Sequence, residues 1–233
     1  MQNNSDSIIA IVPAAGIGSR MAADKPKQYL QLGQQTILAH TLDVLLSHPQ
    51  IAQVVIALHP QDQYFQHLAQ SKHPKLTQVI GGGERADSVL AALNMAKTIN
   101  PTAWALVHDA ARPCLCHSDI DKLLESQSRF PQGAILAAPV RDTMKRSDAS
   151  GIITNTVERA LLWHALTPQY FPIDTLQANL ANALKANVNI TDEASAMEWA
   201  GVMPGLVTGR VDNIKVTHPD DLQLAQLFMS QAQ

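Results

Sequence analysis

Residues 8–20 read IIAIVPAAGIGSR, and this stretch decides the fold. Positions 8–13 are almost unbroken in hydrophobicity and rich in β-branched side chains, the pattern of a strand buried on both faces. Small residues and two glycines follow at once, so the strand ends in a turn whose backbone a ligand can approach closely. Working outward, runs of the same kind recur at 53–58 (QVVIAL), 77–80 (TQVI), 104–108 (WALVH) and 133–138 (GAILAA). Stretches of helical period separate them at 36–46, 64–70, 88–97 and 119–126. Strand and helix in alternation predict an α/β fold with a mostly parallel sheet.

After Pro139 the rhythm changes. Residues 140–162 (VRDTMKRSDASGIITNTVERALL) place charges on both sides of a turn-like Ser-Asp-Ala-Ser-Gly and lack the apolar density of a core element, which predicts a protruding β-hairpin or arm. Beyond it, 173–185 and 192–200 read as helices, 206–207 and 214–216 as short strands, and 219–229 as a closing helix. Repeats, low-complexity tracts and Pro/Gly linkers are absent. The expected organisation is one domain over 1–233, a three-layer, Rossmann-like sheet flanked by helices, with 139–162 as its β-arm.

Composition bounds the function. The chain has 233 residues, 46% hydrophobic but only 4% aromatic, so its core rests on Ile, Leu, Val and Ala. A net charge of −3 argues against a surface that grips nucleic acid throughout, since phosphate-backbone binding shows as a strongly basic domain. The two cysteines, Cys114 and Cys116, are too close for the usual zinc half-site and awkward for a mutual disulfide, so both are expected reduced. No apolar run approaches the roughly 20 residues of a membrane span, and 1–7 (MQNNSDS) has no signal-peptide pattern. The expected compartment is the cytoplasm.

Four segments carry chemistry. In the first, Ala14, Ala15, Gly16 and Gly18 follow the opening strand, with Arg20 and Lys27 close behind. Glycines let successive N–H groups converge on phosphate oxygens, and the two cations suit the same anion. Neither the dinucleotide fingerprint nor the P-loop fits, because Met21 stands where the third glycine belongs and no G-x4-G-K-[ST] occurs. The second segment, Gly81-Gly82-Gly83-Glu84-Arg85, leads to Ser88 and suits the wall of a nucleotide base, though three glycines can equally be an ordinary turn. In the third, His108-Asp109-Ala110-Ala111-Arg112, an aspartate leaving a buried strand can hold Mg²⁺ and Arg112 can bind a phosphate; a surface Asp–Arg pair is the plain alternative. His108 reads as a strand residue rather than a ligand. The fourth segment sets Lys215 between Ile214 and Val216, an unusual place for a charge in an apolar strand. Thr191-Asp192-Glu193 reads first as a helix N-cap with acids in the first turn.

The candidate basic groups are thus Arg20, Lys27, Arg112 and Lys215, with one carboxylate, Asp109, and two glycine loops, and no convincing Ser/His/Asp or Cys/His set accompanies them. A substrate phosphate is itself an anionic nucleophile, its second pKa being about 6. Catalysis then reduces to positioning and charge neutralisation at phosphorus. A non-catalytic nucleotide binder and an NAD-type dehydrogenase remain alternatives from other classes.

The runs 13–20, 26–29, 84–88, 108–113, 139–143, 165–169, 191–194 and 212–217 together resemble the 2-C-methyl-D-erythritol 4-phosphate cytidylyltransferases of the non-mevalonate isoprenoid pathway, in order and over nearly the whole chain. The resemblance implies transfer of CMP from CTP to the alditol phosphate with release of pyrophosphate, and Mg²⁺ as cofactor. It implies that Arg20 and Lys27 stabilise charge at the α-phosphate and that Ala14, Ala15, Gly16, Gly18, Gly82 and Ser88 hold CTP. Asp109 would sit near both metal and substrate. Lys215 and Arg159 would position the acceptor, helped by Arg112, Thr143, Thr167 and Thr191. The arm would swap across a homodimer, so that Thr143 and Arg159 serve the neighbouring subunit. Gly83 stands where some members carry a side chain that hydrogen-bonds the base, which throws base selectivity onto backbone groups. Another alditol phosphate, such as ribitol 5-phosphate, is separated from methylerythritol phosphate only by resemblance.

Overall fold

The computed structural model describes residues 7–16 and 25–231. Strand β1, Ile8–Ala14, is buried along almost its full length. Ile8, Ala10, Val12 and Ala14 enter one apolar core while Ile9 and Ile11 enter another. Alternate side chains of a strand point to opposite faces, so two cores on one strand mean a sheet covered on both sides. The helices that cover it are α1 (Ile37–Ser47) and α3 (His117–Glu125) on the first face, and α2 (Arg85–Ile99), α4 (Ile173–Lys185) and α5 (Glu193–Trp199) on the second. The last helix, α6 (Pro219–Gln231), packs through Ala225 on a small third cluster with Cys114 and Val216.

The remaining strands of the main sheet are β4 (Ile51–Leu58), β5 (Leu76–Ile80), β6 (Trp104–Val107), β7 (Ala134–Pro139), β10 (Trp163–Pro172) and β11 (Gly205–Thr208). Two small hairpins account for β2 (Gln31–Leu32) with β3 (Gln35–Thr36), and β8 (Met144–Ser147) with β9 (Ile153–Val157). Among the described residues the main sheet has seven strands in the order β11-β7-β10-β6-β1-β4-β5. All its pairings are parallel except those of β10, which runs antiparallel to both β6 and β7. The chain goes from β1 to β4 and β5 on one side, then returns to β6 on the other. That reversal opens a crevice beyond the carboxyl ends of β1 and β6, where ligands of open α/β sheets bind.

The fold departs from the sequence pattern in three places. The stretch 64–70 forms two short 3-10 turns, Phe65–His67 and Ala69–Lys72, in place of one helix. Residues 214–216 form no strand: they lie beside the 108–113 loop rather than a strand, and Val216 N–H donates to the Ala111 carbonyl at 2.8 Å. Strand β10 had no sequence signal of its own, because Trp163–Pro172 carries two prolines and a glutamine and is buried only in its second half. The arm is a hairpin as expected. Its turn is held by Asp148 Oδ1, which accepts from Ser150 N–H and Ile152 N–H at 2.9 and 3.0 Å, and Gly151 supplies the positive φ of 86°.

Candidate active site

A cavity of about 460 Å³ occupies the crevice. The end of β1 forms one wall through Ala14, Ala15 and Gly16, and the 82–83 glycines with Ser88 form another. Lys27, Arg85, Asp109 and Lys215 line the floor between them. Gln28, whose role the sequence did not disclose, anchors the first wall: its buried amide donates to the Ala14 and Gly16 carbonyls at 2.8 and 3.0 Å. Ser88 anchors the second. Its Oγ accepts from Gly82 N–H at 3.1 Å and donates to the Glu84 carbonyl at 3.2 Å. Glu84 N–H in turn donates to Asp87 Oδ2 at 3.0 Å, capping α2. Glycine is required at 81, where a Cβ would meet Ala15 Cβ at 2.6 Å and Ser88 Oγ at 2.8 Å. The two walls touch there, and no side chain fits.

Asp109 is the electrostatic centre. It is 6% exposed, and three cations converge on it: Arg85 Nε on Oδ1 at 2.9 Å, Lys215 Nζ on Oδ2 at 3.0 Å and Arg112 Nε on Oδ2 at 3.4 Å. Burial opposes its ionisation, but Arg85, Lys215 and Arg112 outweigh burial and hold the carboxyl well below the usual carboxylate range. Arg112 is itself buried, and its Nη1 donates to the Asn213 carbonyl at 2.7 Å, so it is no surface partner. Lys27 Nζ donates to the Val216 carbonyl at 3.0 Å, which sets it beside the segment that bears Lys215.

The loop carrying Asp109 is fixed from beneath. His108 is fully buried, and burial pushes its pKa down to about 4. Its Nε2 lies 3.1 Å from the Arg112 carbonyl and its Nδ1 2.9 Å from Thr167 Oγ1. A carbonyl only accepts, so Nε2 carries the proton and the Thr167 hydroxyl donates to Nδ1. Thr167 Oγ1 also accepts from Asp109 N–H at 3.1 Å. Its hydroxyl therefore serves the loop, although the residue lines a second cavity.

That second cavity, of about 240 Å³, shares Arg85, Asp109 and Lys215 with the first and adds Arg112, Thr167 and Thr191. Thr143 and Arg159 line neither cavity. Both are exposed on the arm, and Arg159 Nη1 donates to the Arg141 carbonyl. Gly18 and Arg20 lie outside the described residues. Arg85, named in the second glycine segment but given no role there, joins Asp109 to the buried Glu193; the signal available was a cation just after a glycine run at a helix start.

A switch-point crevice walled by glycine and floored by lysine and arginine has the build of a site for a nucleotide or another phosphorylated ligand. A family model for 2-C-methyl-D-erythritol 4-phosphate cytidylyltransferase matches residues 8–231. The chain belongs to this family. Relatives of that name from Shewanella frigidimarina and Shewanella denitrificans are each 75% identical to it, over 99% and 95% of this chain and 100% and 91% of their own lengths. The crystal structure of the Francisella tularensis 2-C-methyl-D-erythritol 4-phosphate cytidylyltransferase matches with a TM-score of 0.84 and 33% identity, over 96% of this chain and 100% of that one. The crystal structure of a 4-diphosphocytidyl-2C-methyl-D-erythritol synthase gives 0.83 and 35%, over 96% and 99%.

Proposed function

We infer that the protein transfers CMP from CTP to 2-C-methyl-D-erythritol 4-phosphate, giving CDP-methylerythritol and pyrophosphate. The observation that carries this reading is the junction of the two cavities at Arg85, Asp109 and Lys215. A triphosphate in the larger cavity and a phosphomonoester in the smaller one meet at a shared lysine. An oxygen of the acceptor phosphate forms the new bond to the α-phosphorus while the bond to the β-phosphate oxygen breaks, and the electron pair leaves with pyrophosphate. Neither step needs a protein nucleophile or a protein base. Lys27 and Arg20 neutralise charge that grows on the α-phosphate and leaving group, and Lys215 and Arg112 hold the acceptor phosphate. Gly16, Gly18, Gly82 and Ser88 with Ala14 and Ala15 seat the nucleotide.

Mg²⁺ fits this site as a substrate-borne ion. Among the described residues no group of three or more His, Cys, Asp or Glu side chains could hold a metal, whereas Mg²⁺ commonly takes one or two carboxylates and lets substrate phosphates and water supply the rest. Asp109, the carboxylate that lines both cavities, is the hard oxygen ligand assigned to it, and the bound ion would spread the triphosphate's negative charge. Lys215, 40% exposed, is the most exposed of Asp109's three partners and so the readiest to exchange it for a phosphate.

We further propose that the protein is a homodimer whose arms, 139–162, cross to the partner copy. Ile152, Ile153 and Leu161 are 66%, 60% and 88% exposed on the arm, an apolar surface that invites cover. Exchange would bring Thr143 and Arg159 to the partner's acceptor cavity. A cytoplasmic location suits the reading; among the described residues no helix is long and apolar enough to cross a membrane.

The decisive experiment incubates the purified protein with each nucleoside triphosphate, Mg²⁺ and the alditol phosphate. Pyrophosphate release with CTP far above that with UTP or ATP is expected, and no release with any of them would sink the reading. Ribitol 5-phosphate as acceptor in a parallel reaction separates the two alditols.

A further inference from the structure

Arg85 is the first residue of α2 and Glu193 the first residue of α5. The two helix starts close different walls. The turn before α2 carries the glycines of the larger cavity, while Thr191 and Asp192 before α5 line the smaller one. One guanidinium spans them: Nη1 and Nη2 donate to the two oxygens of Glu193 at 2.7 and 3.1 Å, and Nε donates to Asp109 at 2.9 Å.

Glu193 is 1% exposed, a costly place for a carboxylate unless it is paired and hydrogen-bonded. The planar fork of Arg85 meets that need with two parallel donors, and the amino end of α5 favours the charge further. A lysine ammonium carries its three donors on one nitrogen and cannot present two parallel N–H groups to Glu193 while a separate nitrogen reaches Asp109. Glu193 and Asp109 engage all three of its nitrogens and three of its five N–H donors, which makes Arg85 a strut between the two walls. The acceptor side is braced in turn by Gln169, which donates to Asp192 Oδ2 and accepts from Ala194 N–H, both at 2.8 Å.

We propose that the Arg85–Glu193 pair is a positioning clamp that fixes the donor cavity relative to the acceptor cavity. The inference rests on reading those cavities as the CTP and acceptor sites. With both substrates bound, the clamp sets the distance over which the acceptor oxygen approaches the α-phosphorus, and a misplacement of about 1 Å in such a reaction can cost about 100-fold in rate.

Arg85→Lys and Glu193→Gln test it, through steady-state kinetics and amide hydrogen exchange. In both variants kcat is expected to fall by roughly 10- to 100-fold, with the KM for CTP changed by no more than about twofold. Glu193→Asp, which keeps the charge, should recover part of the loss. Exchange should accelerate at the amides of 85–88 and 193–196 and stay unaltered in β1 and β4. A purely structural pair would lower the melting temperature while each folded molecule kept its kcat. The clamp is overturned if both variants keep kcat within twofold, or if exchange at both helix starts is unchanged. Failure of the wild-type protein to release pyrophosphate would instead refute the functional reading, and the exchange experiment would still decide the clamp.

Discussion

Asp109→Asn removes the one negative charge on which three cations converge, and the structure sets the size of the effect. Breaking a buried ion pair by deleting one partner costs about 3–5 kcal/mol, because the other charge stays buried. Here the cost is moderated. Lys215 is 40% exposed and solvent screens it, and Arg85 keeps both of its bonds to Glu193. Arg112, with a side chain only 10% exposed, carries most of the penalty. The lower bound of about 3 kcal/mol therefore applies, and at about 2–4 °C per kcal/mol for a chain of this length the melting temperature should fall by roughly 6–12 °C at pH 7.

The pH dependence follows from the direction of the shift. A carboxyl depressed in the folded state stabilises above its unfolded pKa of about 3.9 and loses that contribution as pH falls toward the folded value. The gap between wild type and Asp109→Asn should stay flat from about pH 8 to about pH 5 and narrow below about pH 4. Thermal melts of both proteins across that range make the measurement. A gap under about 2 °C at pH 7, or one that widens on acidification, would mean that the Asp109 charge is not what holds these cations in the fold.

Other expectations follow from the same geometry. His108, buried and neutral down to about pH 4, binds its proton more readily in the unfolded chain; stability should therefore decline as pH falls from about 6.5 to about 4, and His108→Gln should flatten that slope in denaturant titrations. Gly81→Ala drives a Cβ into Ala15 and Ser88, so the KM for CTP should rise at least severalfold, whereas an unchanged KM would mean the walls are not the nucleotide's. Gly83, where an added Cβ would meet nothing within 4 Å, should accept Asp without loss of melting temperature while the preference for CTP over UTP changes. Lys27→Ala should lower kcat, and Arg159→Ala should chiefly raise the KM for the acceptor. Sedimentation of an Ile153→Lys, Leu161→Asp variant should show monomer if the arms join two copies; an intact dimer would remove them from the interface.

The buried parallel strands were legible because covering a sheet on both faces leaves an unbroken apolar run, as in 8–13 and 53–58. Strand β10 was not, since Gln169 and two prolines interrupt its pattern; its buried half is held by antiparallel partners on both sides, and Gln169 spends its amide on α5. The alternation of Ile214, Lys215 and Val216 mimicked a strand, but the neighbour they meet is a loop that offers a single carbonyl in register.

For the site, glycines after β1 and β5, cations nearby and an aspartate after β6 were legible in the sequence, because these features lie within a few residues of a strand end. Beyond the local Asp109–Arg112 pair, which cations share Asp109 was set by the tertiary structure. Arg85, Arg112 and Lys215 come from three separate segments, and their convergence depends on strand order. The same holds for Glu193, which local pattern describes only as a helix-start acid. Burial at the head of α5 opposite Arg85 makes it the counter-charge between two cavities, since charge at long sequence separation is paired by the fold and not by spacing.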